Sequence, residues 1–296
     1  MKERPSAARI GAAAGPLRMT PNVAGTLPDP AVTATPPSSR SRNQPTSLAP
    51  GDVHVWYRFT DSLDDDAVQA EVAQLSPDEG ARCQRFVFRR DRRDFAAGHA
   101  LLRRVLSMYD DVRPDAWTFV AAGNGKPSLA QEPGAPPLAF NLSHTQGLVA
   151  CAVARDAEVG VDVECVERVT DGRDVAERYF SAAELAQLDA CPEEQRAARF
   201  IELWVLKEAY LKAIGSGLAR PLDTFAFSFD DAGGLGFNAR PDGSPATWTF
   251  ALFAPSPRHR LALAARFARP SHSRLVARAA GGDRALAPVR ACTSPA

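Results

Sequence analysis

Residues 204–217, Trp-Val-Leu-Lys-Glu-Ala-Tyr-Leu-Lys-Ala-Ile-Gly-Ser-Gly, constrain the chain more than any other stretch. Phe200, Leu203, Trp204, Leu211 and Ile214 recur at helical spacing, and Val205, Leu206, Ala209 and Tyr210 widen that apolar face until little helix is left for water. Lys207, Glu208 and Lys212 interrupt it, and burying charge is costly unless it is paired or liganded. Glu208 and Lys212 are four apart and share a face; Gly215 and Gly217 supply the stop. An ordinary salt bridge on a helix edge accounts for that pair equally well when the helix is taken alone.

A second stretch shifts the balance. Gly160-Val-Asp-Val-Glu164 reads as a strand with Asp162 and Glu164 on one face and Val161 and Val163 on the other. Two like charges on one face of a core strand repel, and a structural role rarely needs them. A hard divalent cation that wants oxygen ligands explains them, and Mg²⁺ typically takes one or two carboxylates plus substrate phosphates.

The chain has 296 residues, enough for one large domain or two small ones, and its formal net charge of zero gives no bulk attraction to nucleic acid or anionic membranes. Five scattered Cys, with no CxxC and no His spaced to complete a zinc site, suit a reducing cytoplasm. No apolar run approaches the roughly 18 residues of a membrane span. A soluble, cytoplasmic protein is expected.

Residues 1–51 hold nine of the 24 Pro and no aromatic residue, and are expected to be a disordered tail containing Met19, an alternative start. Residues 270–296 are expected to be a second loose tail. Between them, Asp52–Phe59 alternates as a strand, and Ser76-Pro-Asp-Glu79 has the form of a capping box opening a helix that runs toward Met108. Strands follow near 117–121, 138–142, 148–154 and 159–164. The second half echoes the first: Ser181-Ala-Ala-Glu184 repeats the capping box 105 residues on (181 − 76), and strands recur near 225–229, 248–253 and 261–267. The expected fold is α/β (α+β), a pseudo-dimer of two similar halves, 52–155 and 156–269, with the site between them.

Three polar clusters remain. Eight Arg lie between Arg82 and Arg104; the usual fate of such a run is a solvated helix face, the functional alternative a phosphate or acidic-partner surface. Gly123-Asn-Gly-Lys126-Pro127 lacks P-loop spacing but could lay backbone N–H groups against an anion; an ordinary β-turn is the local alternative. Asn141-Leu-Ser143-His144 ends a strand with polar side chains. No nucleophile–base triad is evident, because adjacent strand residues point apart and Gly-x-Ser-x-Gly is absent.

Arg85-Phe86, Gly125-Lys126-Pro127, Phe140-Asn-Leu-Ser-His144, Gly160-Val-Asp-Val-Glu164, Phe180-Ser181 with Glu184, and Trp204-x-x-Lys207-Glu208-x-x-x-Lys212 occur in an order that resembles the 4′-phosphopantetheinyl transferases of the surfactin-synthetase-activating (Sfp) type. The resemblance spans about 76–217. It implies coenzyme A and Mg²⁺ bound between the halves, with Asp162, Glu164 and Glu208 as metal ligands and Lys212 on the pyrophosphate. It also implies Arg82, Lys126 with Pro127, Ser143 and His144 at the adenosine end. Asp94 stands where relatives often carry a basic residue, so one phosphate contact is expected either to come from Arg93 or to be missing. Transfer to a serine of an acyl or peptidyl carrier protein is implied; Glu208 is the candidate general base, directly or through a metal-bound water, and two linked halves are expected to make the chain active as a monomer. Carriers of fatty-acid, polyketide and peptide synthesis all fit. The rivals are another Mg²⁺-dependent nucleotide-handling transferase, independent of coenzyme A, and a non-enzymatic carrier-binding module, which has no use for all four charged residues.

Overall fold

A computed structural model of the chain describes residues 47–295 apart from 122–125, 131–137, 170–171, 218–219, 231–232, 240–245, 269–273 and 281–284. Residues 1–46 of the expected tail over 1–51 and the loop 122–125 lie outside the described residues, whereas Leu48, inside the expected tail, is buried in the core of the N-terminal lobe. The N-terminal lobe runs β1 (Asp52–Phe59), α1 (Asp65–Val72), α2 (Pro77–Gln84), α3 (Arg89–Leu106), β2 (Phe119–Ala121), β3 (Pro127–Leu129), β4 (Leu138–Thr145) and β5 (Leu148–Arg155). Asp156, in the left-handed region at φ 54°, is the whole link to the next strand. The C-terminal lobe repeats the order: β6 (Ala157–Cys165), α4 (Arg173–Tyr179), α5 (Ala182–Asp189), α6 (Glu193–Ile214), β7 (Phe225–Phe229), β8 (Leu235–Ala239), β9 (Thr247–Ser256) and β10 (His259–Phe267). Strands β11 (Arg274–Ala279), β12 (Ala285–Leu286) and β13 (Arg290–Pro295) close the chain.

The repeat extends to pairing. In each lobe the first strand lies antiparallel to the last, which pairs with the strand before it: β1-β5-β4 and β6-β10-β9. Val53, Val55 and Tyr57 of β1 and Val159, Val161 and Val163 of β6 alternate inward to one core between the two sheets. Each such fully buried side chain contributes about 1.5–3 kcal/mol. On the outer faces, Leu101, Leu102 and Val105 of α3 cover the first sheet, and Leu203, Leu206 and Tyr210 of α6 cover the second.

Two expectations are corrected. The helix from Ser76 is not continuous to Met108: it caps at Arg85, and Phe88 is extended (φ −91°, ψ 133°) before α3 starts. The break lets Phe86 fold back against Phe95, ring centroids 5.1 Å apart. The C-terminal stretch is not a loose tail. β11 adds in parallel to β1 and β13 antiparallel to β9, satisfying backbone groups that each sheet edge would otherwise leave open.

Candidate active site

The site forms where the edge of one sheet meets the edge of the other. β4 and β6 are not laddered together; side chains of β4 do that work. Asn141 Oδ1 accepts from Val161 N (2.8 Å), and Ser143 Oγ accepts from Val163 N (3.3 Å). Asn141, Ser143 and Thr145 share one strand face by period-2 alternation, so three polar residues in register meet β6. Ser143 Oγ donates to Asp162 Oδ1 (2.9 Å), and Thr145 Oγ1 donates to Glu164 Oε2 (3.0 Å).

From the other side α6 lies directly on β6. A Cβ at Gly160 would overlap the backbone at Ala209 O and Ala213 N, so only glycine permits this approach. The helix thereby brings Lys212 onto Asp162: Nζ donates to Asp162 Oδ1 at 2.6 Å and to Ser143 Oγ at 3.0 Å. Glu208, one turn earlier on the same face, enters the same field. Burial pushes its carboxyl up to about 7, reinforced by Asp162 and Glu164 and opposed by Lys212. Burial likewise raises Glu164 to about 7, helped by Asp162 and opposed by Arg168, Thr145 and Lys212.

Three acidic groups thus share one charge neighbourhood. They do not yet share a coordination point: among the described residues no three His, Cys, Asp or Glu side chains close round one position. In this structure Asp162 Oδ1 is held by Lys212 instead, a departure from the expected three-carboxylate cluster. The residues nevertheless fit a hard cation. All three donors are oxygens, and Asp162 Oδ2 is buried with no hydrogen-bond partner.

The residues expected at the adenosine end are dispersed. Ser143 is buried and engaged with Asp162, whereas His144, its neighbour on β4, is exposed on the opposite face. Lys126 Nζ donates to Val159 O (2.9 Å) and Ala213 O (3.0 Å), fastening the start of β6 to the end of α6. Pro127 is exposed at the start of β3. Arg82 is exposed on α2, its guanidinium 5.2 Å from the Phe95 ring centroid. Arg93 pairs with Asp61 (2.7 Å), and buried Asp94 accepts from Thr60 Oγ1. Thr145 and Arg168, which hold Glu164, escaped the sequence reading; the alternation Asn141, Ser143, Thr145 was the available signal for the first.

Two repeated α/β lobes meet at an acidic, lysine-bearing seam between their sheets. Residues 158–266 match the 4′-phosphopantetheinyl transferase superfamily, and residues 64–156 match the 4′-phosphopantetheinyl transferase N-terminal family. The 4′-phosphopantetheinyl transferase HetI of Nostoc sp. is 38% identical over 174 residues, 59% of this chain and 73% of that protein. The 4′-phosphopantetheinyl transferase psf-1 of Bacillus pumilus is 34% identical over 175 residues (58% and 72%), and Sfp of Bacillus subtilis 29% over 171 residues (58% and 74%). The chain belongs to the 4′-phosphopantetheinyl transferase family.

Proposed function

We propose that the seam between β4, β6 and α6 transfers the phosphopantetheine arm of coenzyme A to a serine hydroxyl of an acyl or peptidyl carrier protein. The observation that carries this reading, beside family membership, is the meeting of Asp162 with Lys212 and the two raised glutamates in one buried seam. The serine oxygen forms a bond to the β-phosphorus of coenzyme A. The bond from that phosphorus to the bridging oxygen breaks, and adenosine 3′,5′-bisphosphate leaves. Phosphoryl transfer is chiefly positioning and charge neutralisation, and Lys212 supplies a positive charge at the seam.

The serine must lose its proton as it attacks. Glu208, whose carboxyl burial pushes up to about 7, is more basic than an ordinary carboxylate and can accept that proton. Asp162, Glu164 and Glu208 are the side chains that would hold Mg²⁺, which when bound neutralises pyrophosphate charge. The unpartnered Asp162 Oδ2 supports this, as does an excess of carboxylate over cation in the seam. We assign the adenosine and 3′-phosphate end to His144, Arg82 and Arg93, with Lys126 and Ser143 supporting the frame around them. The carrier interface is small and transient, the chain acts as a monomer, and five thiols with no disulfide among the described residues suit the cytoplasm.

The test is release of adenosine 3′,5′-bisphosphate from coenzyme A in the presence of an apo carrier protein, with and without Mg²⁺. Product that forms only with carrier, coenzyme A and metal together supports the reading. Product that forms without carrier points to a hydrolase instead.

A further inference from the structure

A buried cation occupies a corresponding place in each lobe. In the N-terminal lobe Arg103, near the end of α3, donates from Nε to Glu79 Oε2 at 2.8 Å. Its Nη1 donates to the carbonyls of Pro114 (2.8 Å) and Trp117 (3.1 Å). In the C-terminal lobe Lys207 on α6 is fully buried, with Nζ 2.8 Å from Glu184 Oε2 and donating to Leu222 O and Phe225 O, both at 2.8 Å. Glu79 and Glu184 are the third-position carboxylates of the capping boxes that follow Ser76 and Ser181. The carbonyl pairs bracket the 3-10 turns Pro114–Ala116 and Leu222–Thr224. One cation therefore ties three pieces together in each lobe: the long helix, the start of a shorter helix, and the turn that leads into the next strands.

The residue after each cation has a different fate. Arg104 is held by Glu71 (2.7 Å) and Gln74 (3.3 Å). The Glu208 carboxylate has no hydrogen bond or ion pair among the described residues, so its place comes from the placement of α6. The preceding residue is a fully buried polar anchor of α6, bonded to three oxygens outside the helix.

We propose that Lys207, with Glu184, is a positioning residue for the transfer reaction: it sets the placement of α6 and so the position of Glu208 and Lys212 against Asp162. This rests on the functional reading above. Enclosed and bonded to three oxygens, Lys207 does not itself reach substrate. Its counterpart Arg103 anchors α3, which carries none of the seam's acids or Lys212, and so serves as an internal control for kcat, though not for coenzyme A binding, since Arg93 lies on that helix.

The experiment compares Lys207→Met with Arg103→Met in the full chain. Urea denaturation gives the folded fraction, and kcat and the KM for coenzyme A are taken per folded molecule. Lys207→Met should lose roughly thirtyfold in kcat with KM changed less than about threefold, the penalty of a small misplacement at the reacting groups. Arg103→Met should stay within about twofold of the wild type in kcat, because structural damage alone removes folded molecules without slowing those that remain. Lys207→Arg, which keeps a cation, should recover part of the loss. Should Lys207→Met fail to fold, Glu184→Gln is read by the same criteria. Full kcat per folded molecule in the Lys207 or Glu184 variant overturns the proposal, as does an equal loss in Arg103→Met. Calorimetric titration of Mg²⁺ in the presence of adenosine 3′,5′-bisphosphate gives a readout without turnover. There Lys207→Met should bind Mg²⁺ about tenfold more weakly while Arg103→Met is unchanged, and equal affinities would contradict the proposal. A wild-type chain that binds both but modifies no carrier defeats the functional reading, and the titration then judges the anchoring of α6 alone.

Discussion

On β1 the side chains turned to the helical side are His54, Trp56 and Arg58; on β6 they are Gly160, Asp162 and Glu164. In the first lobe these groups find partners. Trp56 Nε1 donates to Tyr109 OH (2.8 Å), the same hydroxyl pairs with His54 Nδ1 (2.7 Å), and Arg58 meets Glu71. In the second lobe Asp162 Oδ1 is met by Ser143 and Lys212 and Glu164 by Thr145, yet the carboxylates still outnumber the cations. Each of these two strands keeps a buried atom without a hydrogen bond, His54 Nε2 on β1 and Asp162 Oδ2 on β6. The glutamates of the two lobes show the difference most clearly. Burial would raise Glu79, yet hydrogen bonds from His99, Arg103 and the Ser76 N–H bring it down to about 2. Glu208, buried without such donors and facing two other carboxylates, rises to about 7. One scaffold thus carries a balanced set of charges and an unbalanced one, and local rules are typically broken where function resides.

The largest effect should come from the unbalanced set. Asp162→Asn and Glu208→Gln should each lower kcat by roughly 10²–10³-fold, while Arg104→Gln, which follows the buried cation of the first lobe as Glu208 follows that of the second, should stay within about twofold. Steady-state assays on carrier protein read all three. Next come the buried ion pairs, where removing one partner leaves the other charge buried: Arg103→Met and Lys207→Met should each cost about 3–5 kcal/mol in urea denaturation. Clearly unequal losses would break the equivalence of the lobes. Glycines sharpen it further. Gly160→Ala should cost about 3 kcal/mol because backbone, not a side-chain tip, meets the new methyl. Gly98→Ala on α3, where the methyl would sit 3.6 Å from Val149 Cγ1, should instead stabilise by about 0.5–1 kcal/mol.

The smallest effect is in pH dependence, and its sign differs between the lobes. Glu164 and Glu208 take up protons more readily when folded (about 7, against an ordinary 4.5), so their contribution to the stability of metal-free protein is present below 4.5 and is lost as pH rises through 7. Glu79 binds its proton less readily when folded, so its contribution is present above 4.5 and is lost as pH falls toward 2. Denaturation midpoints with chelator across pH 3–8 check both limbs, and added Mg²⁺ should flatten the upper one.

Much of the seam was legible because its signals are local. Asp162 and Glu164 share a face by strand alternation, Glu208 and Lys212 by helical spacing, and the repeated capping boxes at Ser76 and Ser181 announced two lobes. What stayed hidden depends on contacts distant in sequence. Lys207 looked like one more charge on a helix; only the fold brings it to Glu184, Leu222 and Phe225. Ser143 looked like a ligand contact and is spent on β6, whose edge N–H groups need acceptors. β11 and β13 are short strands in a Pro- and Gly-rich stretch and acquire their conformation from the edges of β1 and β9, which local sequence does not reveal.

The asymmetry between the lobes is tested most directly by the intact mass of an apo carrier protein incubated with coenzyme A, Mg²⁺ and either wild type, Glu208→Gln or Arg104→Gln. The carrier should gain one phosphopantetheine with wild type and with Arg104→Gln, and remain unmodified over the same interval with Glu208→Gln. Modification by Glu208→Gln at the wild-type rate would contradict the account.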